Sequence, residues 1–143
     1  MLRAIVAVLF GLCGVAYAQV LTLADVKTKN AVQLSADDLK QLMPSAKVVS
    51  RTNTGSTRNW ENTTNGTLVA SSDGKGFTQG NTRSGSGNGT WRVADKGTYC
   101  VTIQWSVRTS EEWCRYIFKA GDKYYGFGRL EDSAQASAFE FSK

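Results

Sequence analysis

The sequence predicts a mainly β domain: an antiparallel meander forming a small barrel or barrel-like sheet, with a short N-terminal amphipathic helix packed on it. Three observations carry this. β-Prone runs recur from Arg58 to Phe141, turn dipeptides such as Asn65-Gly66 and Asp73-Gly74 separate them, and helical signals are confined to Leu21–Met43. With 143 residues, 41% hydrophobic and 20% charged, the composition is that of one globular domain.

The chain opens with MLRAIVAVLFGLCGVAYA, in which Arg3 precedes an apolar run, Ala4 to Val15, and Ala16-Tyr17-Ala18 stands before Gln19. That is the pattern of a cleaved secretory signal peptide, so residues 1–18 are read as leader and 19–143 as a single helix-plus-β domain. The apolar run is shorter than the ~20 residues that a bilayer span needs. Leu12 stands where a lipobox before Cys13 wants a small residue. Cleavage removes Arg3 and lowers the formal net charge of +5 by one. It also removes Cys13, leaving Cys100 and Cys114, which in an exported chain read as one disulfide. A bridge closing a loop of about 15 residues stabilises by roughly 3 kcal/mol in the chain-entropy account. A redox pair wants Cys-x-x-Cys spacing, and a metal needs further ligands that a chain without histidine does not readily supply. No metal and no cofactor are expected.

Two hydroxyl residues followed three positions later by Asp, Thr22 to Asp25 and Ser35 to Asp38, resemble capping boxes. Leu39, Leu42 and Met43 share one helical face and Pro44 ends the turn, which predicts a helix over Ser35–Met43 packed on the sheet. Strands are expected at Arg58–Asn62, Thr67–Ser72 and Phe77–Gln79. The run GNTRSGSGN, Gly80 to Asn88, has nothing to bury and reads as a mobile loop. Further strands follow at Thr90–Val93, Thr98–Ser106, Glu112–Ala120, Lys123–Leu130 and Ser137–Phe141. An eight-residue strand spans ~27 Å, a length that suits a small barrel. Period two puts Tyr99, Val101, Ile103 and Trp105 on one face and Cys100, Thr102 and Gln104 on the other. Pairing Cys100 with Cys114 then places Tyr116 and Phe118 on the cysteine side and Trp113, Arg115, Ile117 and Lys119 opposite. Neither face is cleanly polar, so both are covered or one lines a cavity.

The helix entry LSADDLKQLMP, the turn TLVASSDG and the run GTWRVADKGTYCVTIQWSVRTSEEWCRYIFKAGDKYYGFG resemble a family of small exported bacterial proteins with no assigned activity. The resemblance runs from about Thr22 to Phe141, and its most specific part is Gly89–Gly126. It implies export and a helix-plus-β fold, and lends no catalytic residues.

The absence of histidine excludes Ser-His-Asp hydrolysis, Cys-His proteolysis and His-ligated zinc. Glu111 and Glu112 are adjacent on a strand and point to opposite faces, so they form no carboxylate pair across a cleft of ~5 to 10 Å. Gly85-x-Gly87-x-Gly89 precedes a strand rather than a helix, which fails the phosphate-loop context. The sequons at Asn62, Asn65 and Asn88 read as exposed turns. Arg51, Arg58, Arg83, Arg92, Arg108, Arg115 and Arg129 are dispersed along the sequence, which argues for solubility or attraction to anionic envelope surfaces, and against nucleic acid. The aromatic set is dense, and its main reading is core packing. Trp91, Trp105, Trp113 and Tyr116, with Arg115 as the polar group, are the candidate ligand-binding residues.

The functional expectation is an exported, periplasmic or secreted, non-catalytic binding domain for a small molecule or envelope component. A protein-interaction or inhibitor module displaying Gly80–Asn88 is the alternative. A hydrolase using Glu61, Glu111 or Glu112 ranks third.

Overall fold

A computed structural model describes residues 20–52, 55–74 and 84–143. The predicted leader, the expected strand Phe77–Gln79 and residues 80–83 of the expected loop lie outside the described residues. The elements run α1 (Leu23–Lys27), β1 (Val32–Gln33), α2 (Ala36–Leu42), β2 (Lys47–Arg51), β3 (Thr57–Asn62), β4 (Thr67–Ser72), β5 (Gly85–Ala94), β6 (Thr98–Trp105), β7 (Glu111–Ala120), β8 (Lys123–Phe127) and β9 (Ser137–Ser142). Strands β2 to β9 form a closed antiparallel barrel in which β9 returns beside β2, and β8 pairs with both β7 and β9. β7 pairs with β6 through its first half and with β8 and β1 through its second.

Two differences from the sequence reading have clear causes. Strand β2, not anticipated, uses the β-branched pair Val48-Val49 beside Ser50, and it lies between β3 and β9. Residues Gly85 to Asn88 are strand, not loop. The absence of side chains at the glycines of this strand is what the barrel needs: a Cβ on Gly87 would come within 2.8 Å of the Ile103 side chain, and one on the next glycine, Gly89, within 1.9 Å of the Thr102 carbonyl oxygen. Glycine here packs by letting β6 approach, so it buries a neighbour's side chain rather than its own.

The face assignment for β6 and β7 is as expected. Tyr99, Val101, Ile103 and Trp105 point inward with Trp60, Leu68, Ala70, Trp113, Ile117 and Phe139. The Cys100–Cys114 disulfide is present and joins directly opposed residues of β6 and β7. The other face of β7 and β8 is covered as well. Phe118, Tyr125 and Phe127 bury against Leu23 and Val26 of α1, forming a second apolar cluster outside the barrel wall.

Both capping boxes are formed. The Asp25 and Asp38 carboxylates accept the Thr22 and Ser35 backbone N–H groups, each at 2.8 Å. α2 runs across one end of the barrel, placing Leu39 and Met43 in the interior cluster rather than on an outer face. A buried relay fixes it there. Trp60 Nε1 donates to the Tyr99 hydroxyl (2.8 Å), which donates to Asn62 Oδ1 (2.9 Å), while Asn62 Nδ2 donates to the Met43 carbonyl (3.0 Å). Asn62 is therefore fully buried and is no exposed sequon, whereas Asn65 and Asn88 are exposed.

Candidate functional site

Alternation along the strands brings a set of charged residues to the opposite end, where β2, β4, β6 and β8 finish and β3, β5, β7 and β9 begin. Arg58, two residues before Trp60 on β3, faces inward, as do Glu111, Trp113 and Arg115 on β7. Arg58 Nη1 donates to Glu111 Oε1 at 2.7 Å, and both side chains are mostly buried. Arg108, in the β6–β7 connection, lays its guanidinium 3.9 Å above the Trp105 ring. The guanidinium of Arg115 lies 5.4 Å from the centre of the Trp113 ring and donates from Nη1 to the Cys114 carbonyl at 3.0 Å. Residues dispersed along the sequence thus gather as three guanidinium groups around one carboxylate. Glu112 and Glu61 point outward and are exposed.

The electrostatics follow from this crowding. Burial pushes the Arg108 guanidinium below its ordinary pKa, reinforced by Arg58 and opposed by Glu111. Burial also lowers Arg115, again opposed by Glu111. Arginine nonetheless stays protonated across the physiological range. Two buried donors at this end, Arg58 Nε and Trp105 Nε1, have no hydrogen-bond partner among the described residues.

Two recesses meet at Arg115. The inner one, about 60 Å³, lies among Arg58, Trp60, Trp113, Arg115 and Phe139. The outer one, about 420 Å³, is bounded by Arg115, Gly128, Arg129, Gln135 and Ser137. Arg115 and Ser137 line both. The interior itself is filled by aromatic rings in contact. Trp113 sits 5.9 Å from each of Trp60, Tyr99 and Phe139, so the barrel is a packed core and not a calyx.

Of the residues singled out from the sequence, Trp105, Trp113 and Arg115 lie at this charged end. Trp91 lies near the other end, donating to the Thr63 carbonyl at 2.9 Å. Tyr116 faces outward and packs in the α1 cluster. Arg58, Arg108 and Ser137 were not singled out, because register across β2, β3, β7 and β9 brings them together and a single sequence does not display register. Alternation could have placed Arg58 on the Trp60 face. Among the described residues no three His, Cys, Asp or Glu side chains gather closely enough to hold a metal ion.

Residues 15–119 match the family described as protein of unknown function, DUF995. The chain belongs to this family. No curated protein and no solved structure matches it. The region shared with DUF995 includes Arg58, both bridging cysteines, Arg108, Glu111 and Arg115. It ends at Lys119 in β7, so Gly128, Gln135 and Ser137 lie beyond it.

Proposed function

We propose that this DUF995 protein is an exported bacterial, non-catalytic binding barrel that takes a small molecule or envelope component at its arginine-lined end. The observation that carries the reading is the state of Arg115. It is half-buried, lines both recesses, and among the described residues has no carboxylate within ion-pair distance. A charge withdrawn from water without an opposite charge to pair with costs free energy, and a bound ligand is a standard way to offset it.

The remaining geometry favours binding over catalysis. Glu111, the inward carboxylate, is held by Arg58, and Glu61 and Glu112 are on the far side of their strands. The disulfide fits an oxidising compartment, in keeping with the leader-like start of the chain. No helix among the described residues is long and apolar enough to cross a membrane. Outward positions such as Asn59, Glu61, Ser71, Gln104 and Glu112 are exposed and polar around an apolar interior, the reverse of a membrane barrel.

The test is native mass spectrometry of the protein isolated from its own host. We expect a chain beginning at Gln19, with the bridge intact and a non-covalent small-molecule adduct. A bare mass across several growth conditions would overturn the binding reading, and a chain retaining Met1 would overturn export.

A further inference from the structure

We propose that the outer recess binds a small organic oxyanion, a molecule whose carboxylate or phosphate group seats on the unspent edge of Arg115. The inference rests on the binding reading and names the ligand class. A guanidinium carries five N–H donors, and Arg115 spends one of its Nη1 donors on the Cys114 carbonyl. The rest form a planar fork, the geometry that matches a carboxylate or phosphate edge.

The surroundings are built to the same end. No acidic side chain lines the outer recess, whereas Arg129, Gln135 and Ser137 do. Arg129 keeps to the rim, 3.5 Å from Glu131, with both side chains exposed. Gly128 gives access. A Cβ there would stand 3.3 Å from Arg115 Nη1, so the missing side chain leaves the guanidinium open to the recess. At about 420 Å³ the volume is that of a small-molecule site.

The recess wall is also held in place. Backbone bonds from Leu23 N–H to the Ala134 carbonyl (2.9 Å) and from Ala136 N–H to the Leu21 carbonyl (2.8 Å) pin the β8–β9 connection to the start of α1. Lys27 and Asp132 reinforce it at 2.7 Å. Preorganised donors lose less freedom on binding than a mobile loop does.

The experiment titrates the oxidised chain Gln19–Lys143 at low ionic strength with inorganic phosphate, succinate and, as a neutral control, glucose. Amide shifts at Gly128, Gln135 and Ser137 are the readout. We expect saturable shifts with phosphate or succinate, none with glucose, and weakening in high salt. The preferred anion separates a phosphate from a carboxylate ligand. Arg115→Gln should weaken binding by about ten-fold or more. Gly128→Val should do the same with every charge retained, by filling the space before Arg115. Arg51→Gln, exposed on the outer face of β2, outside the recess and paired with Glu140, should bind as the parent does. Unliganded Arg115→Gln should melt no lower than the parent, since it removes a half-buried charge with no carboxylate within ion-pair distance, whereas loss of a merely structural arginine lowers the melting temperature. Absence of saturable shifts with both anions, or unchanged binding in Arg115→Gln, overturns the inference. A neutral adduct found on the native protein also overturns it while leaving the binding reading standing. A bare native mass together with silent titrations overturns both.

Discussion

The two ends of the barrel are finished in opposite ways. At one end α2 lies across the opening, Leu39 and Met43 enter the core, and the polar atoms of Trp60, Tyr99 and Asn62 satisfy one another in sequence. At the other, three arginines stand around one carboxylate, which pairs with Arg58, and two buried donors have no partner among the described residues. A buried polar group without a partner costs free energy, so natural structures keep such groups where they have a use. The difference fits a stabilising role for the α2 end and the proposed binding role for the arginine end, and each is open to mutation.

The largest expected effects are away from the arginines. Leu39→Ala removes the fully buried centre of the α2 face and should lower stability by about 2 to 5 kcal/mol, read by chemical denaturation. The anion titration of the surviving folded fraction should be unchanged. A parallel loss of binding would show that the ends are coupled. Cys114→Ala comes next, at about 2 to 4 kcal/mol, because it frees the β6–β7 pair in the unfolded chain. Two free thiols in the native protein would remove the basis for that figure.

Tyr99→Phe isolates the relay. The ring stays and the hydroxyl goes, leaving Trp60 Nε1 without an acceptor and Asn62 Oδ1 without a donor, which should cost about 1 to 3 kcal/mol. Burial already pushes the Tyr99 hydroxyl far above its ordinary pKa, with the Trp60 and Asn62 bonds opposing, so it stays neutral and donates at any workable pH. A loss under about 0.5 kcal/mol would mean that α2 is held by apolar contact alone.

How legible the two ends are in sequence differs for the same reason. The α2 end is built largely from local signals: Ser35-x-x-Asp38 caps the helix, Leu39 and Met43 repeat at helical spacing, and Pro44 stops it. Strand alternation likewise puts Tyr99 and Trp105 on one face and pairs Cys100 with Cys114. The arginine end depends on register between strands far apart in the chain. Arg58 and Glu111 are separated by 53 positions, and nothing near either residue announces the other. Glycine misled in the β5 region for a related reason. Gly85, Gly87 and Gly89 read as flexible because a sequence shows what a residue lacks, not which neighbour fills the space.

Glu111→Gln tests the arginine end directly and should have a smaller effect on stability. The Arg58–Glu111 pair is mostly buried, with side chains 17% and 22% exposed, so loss of the carboxylate should cost about 1 to 2 kcal/mol. It also removes the single acidic group that opposes the lowered pKa of Arg108 and Arg115. Anion binding should therefore strengthen by a few-fold and become more salt-sensitive. Weaker binding would mean that Glu111 is needed to hold Arg58 in place, and the arginine cluster would then be a scaffold.

The smallest effect compares the ends through one device that both use. Asp25 closes the capping box of α1, beside the recess wall, and Asp38 closes that of α2 across the far end. The Asp25 carboxyl is held below its ordinary value of 3.8 by the Thr22 backbone N–H and then its hydroxyl, and Asp38 by the Ser35 hydroxyl and then its backbone N–H. A depressed folded pKa contributes stability that is fully present above about 3.8 and lost as pH falls through the lower folded values. Asp38→Asn keeps an acceptor but removes the titration, so the acid limb of global unfolding should flatten. Asp25→Asn should barely alter that limb, because α1 packs outside the barrel wall. It should instead remove the acid-induced rise in amide exchange at Leu23 and Ala136, whose backbone N–H groups donate across this seam to the Ala134 and Leu21 carbonyls. Equal effects of the two variants on global unfolding would make α1 part of the cooperative core, and the recess wall would then be as rigid as the sealed end.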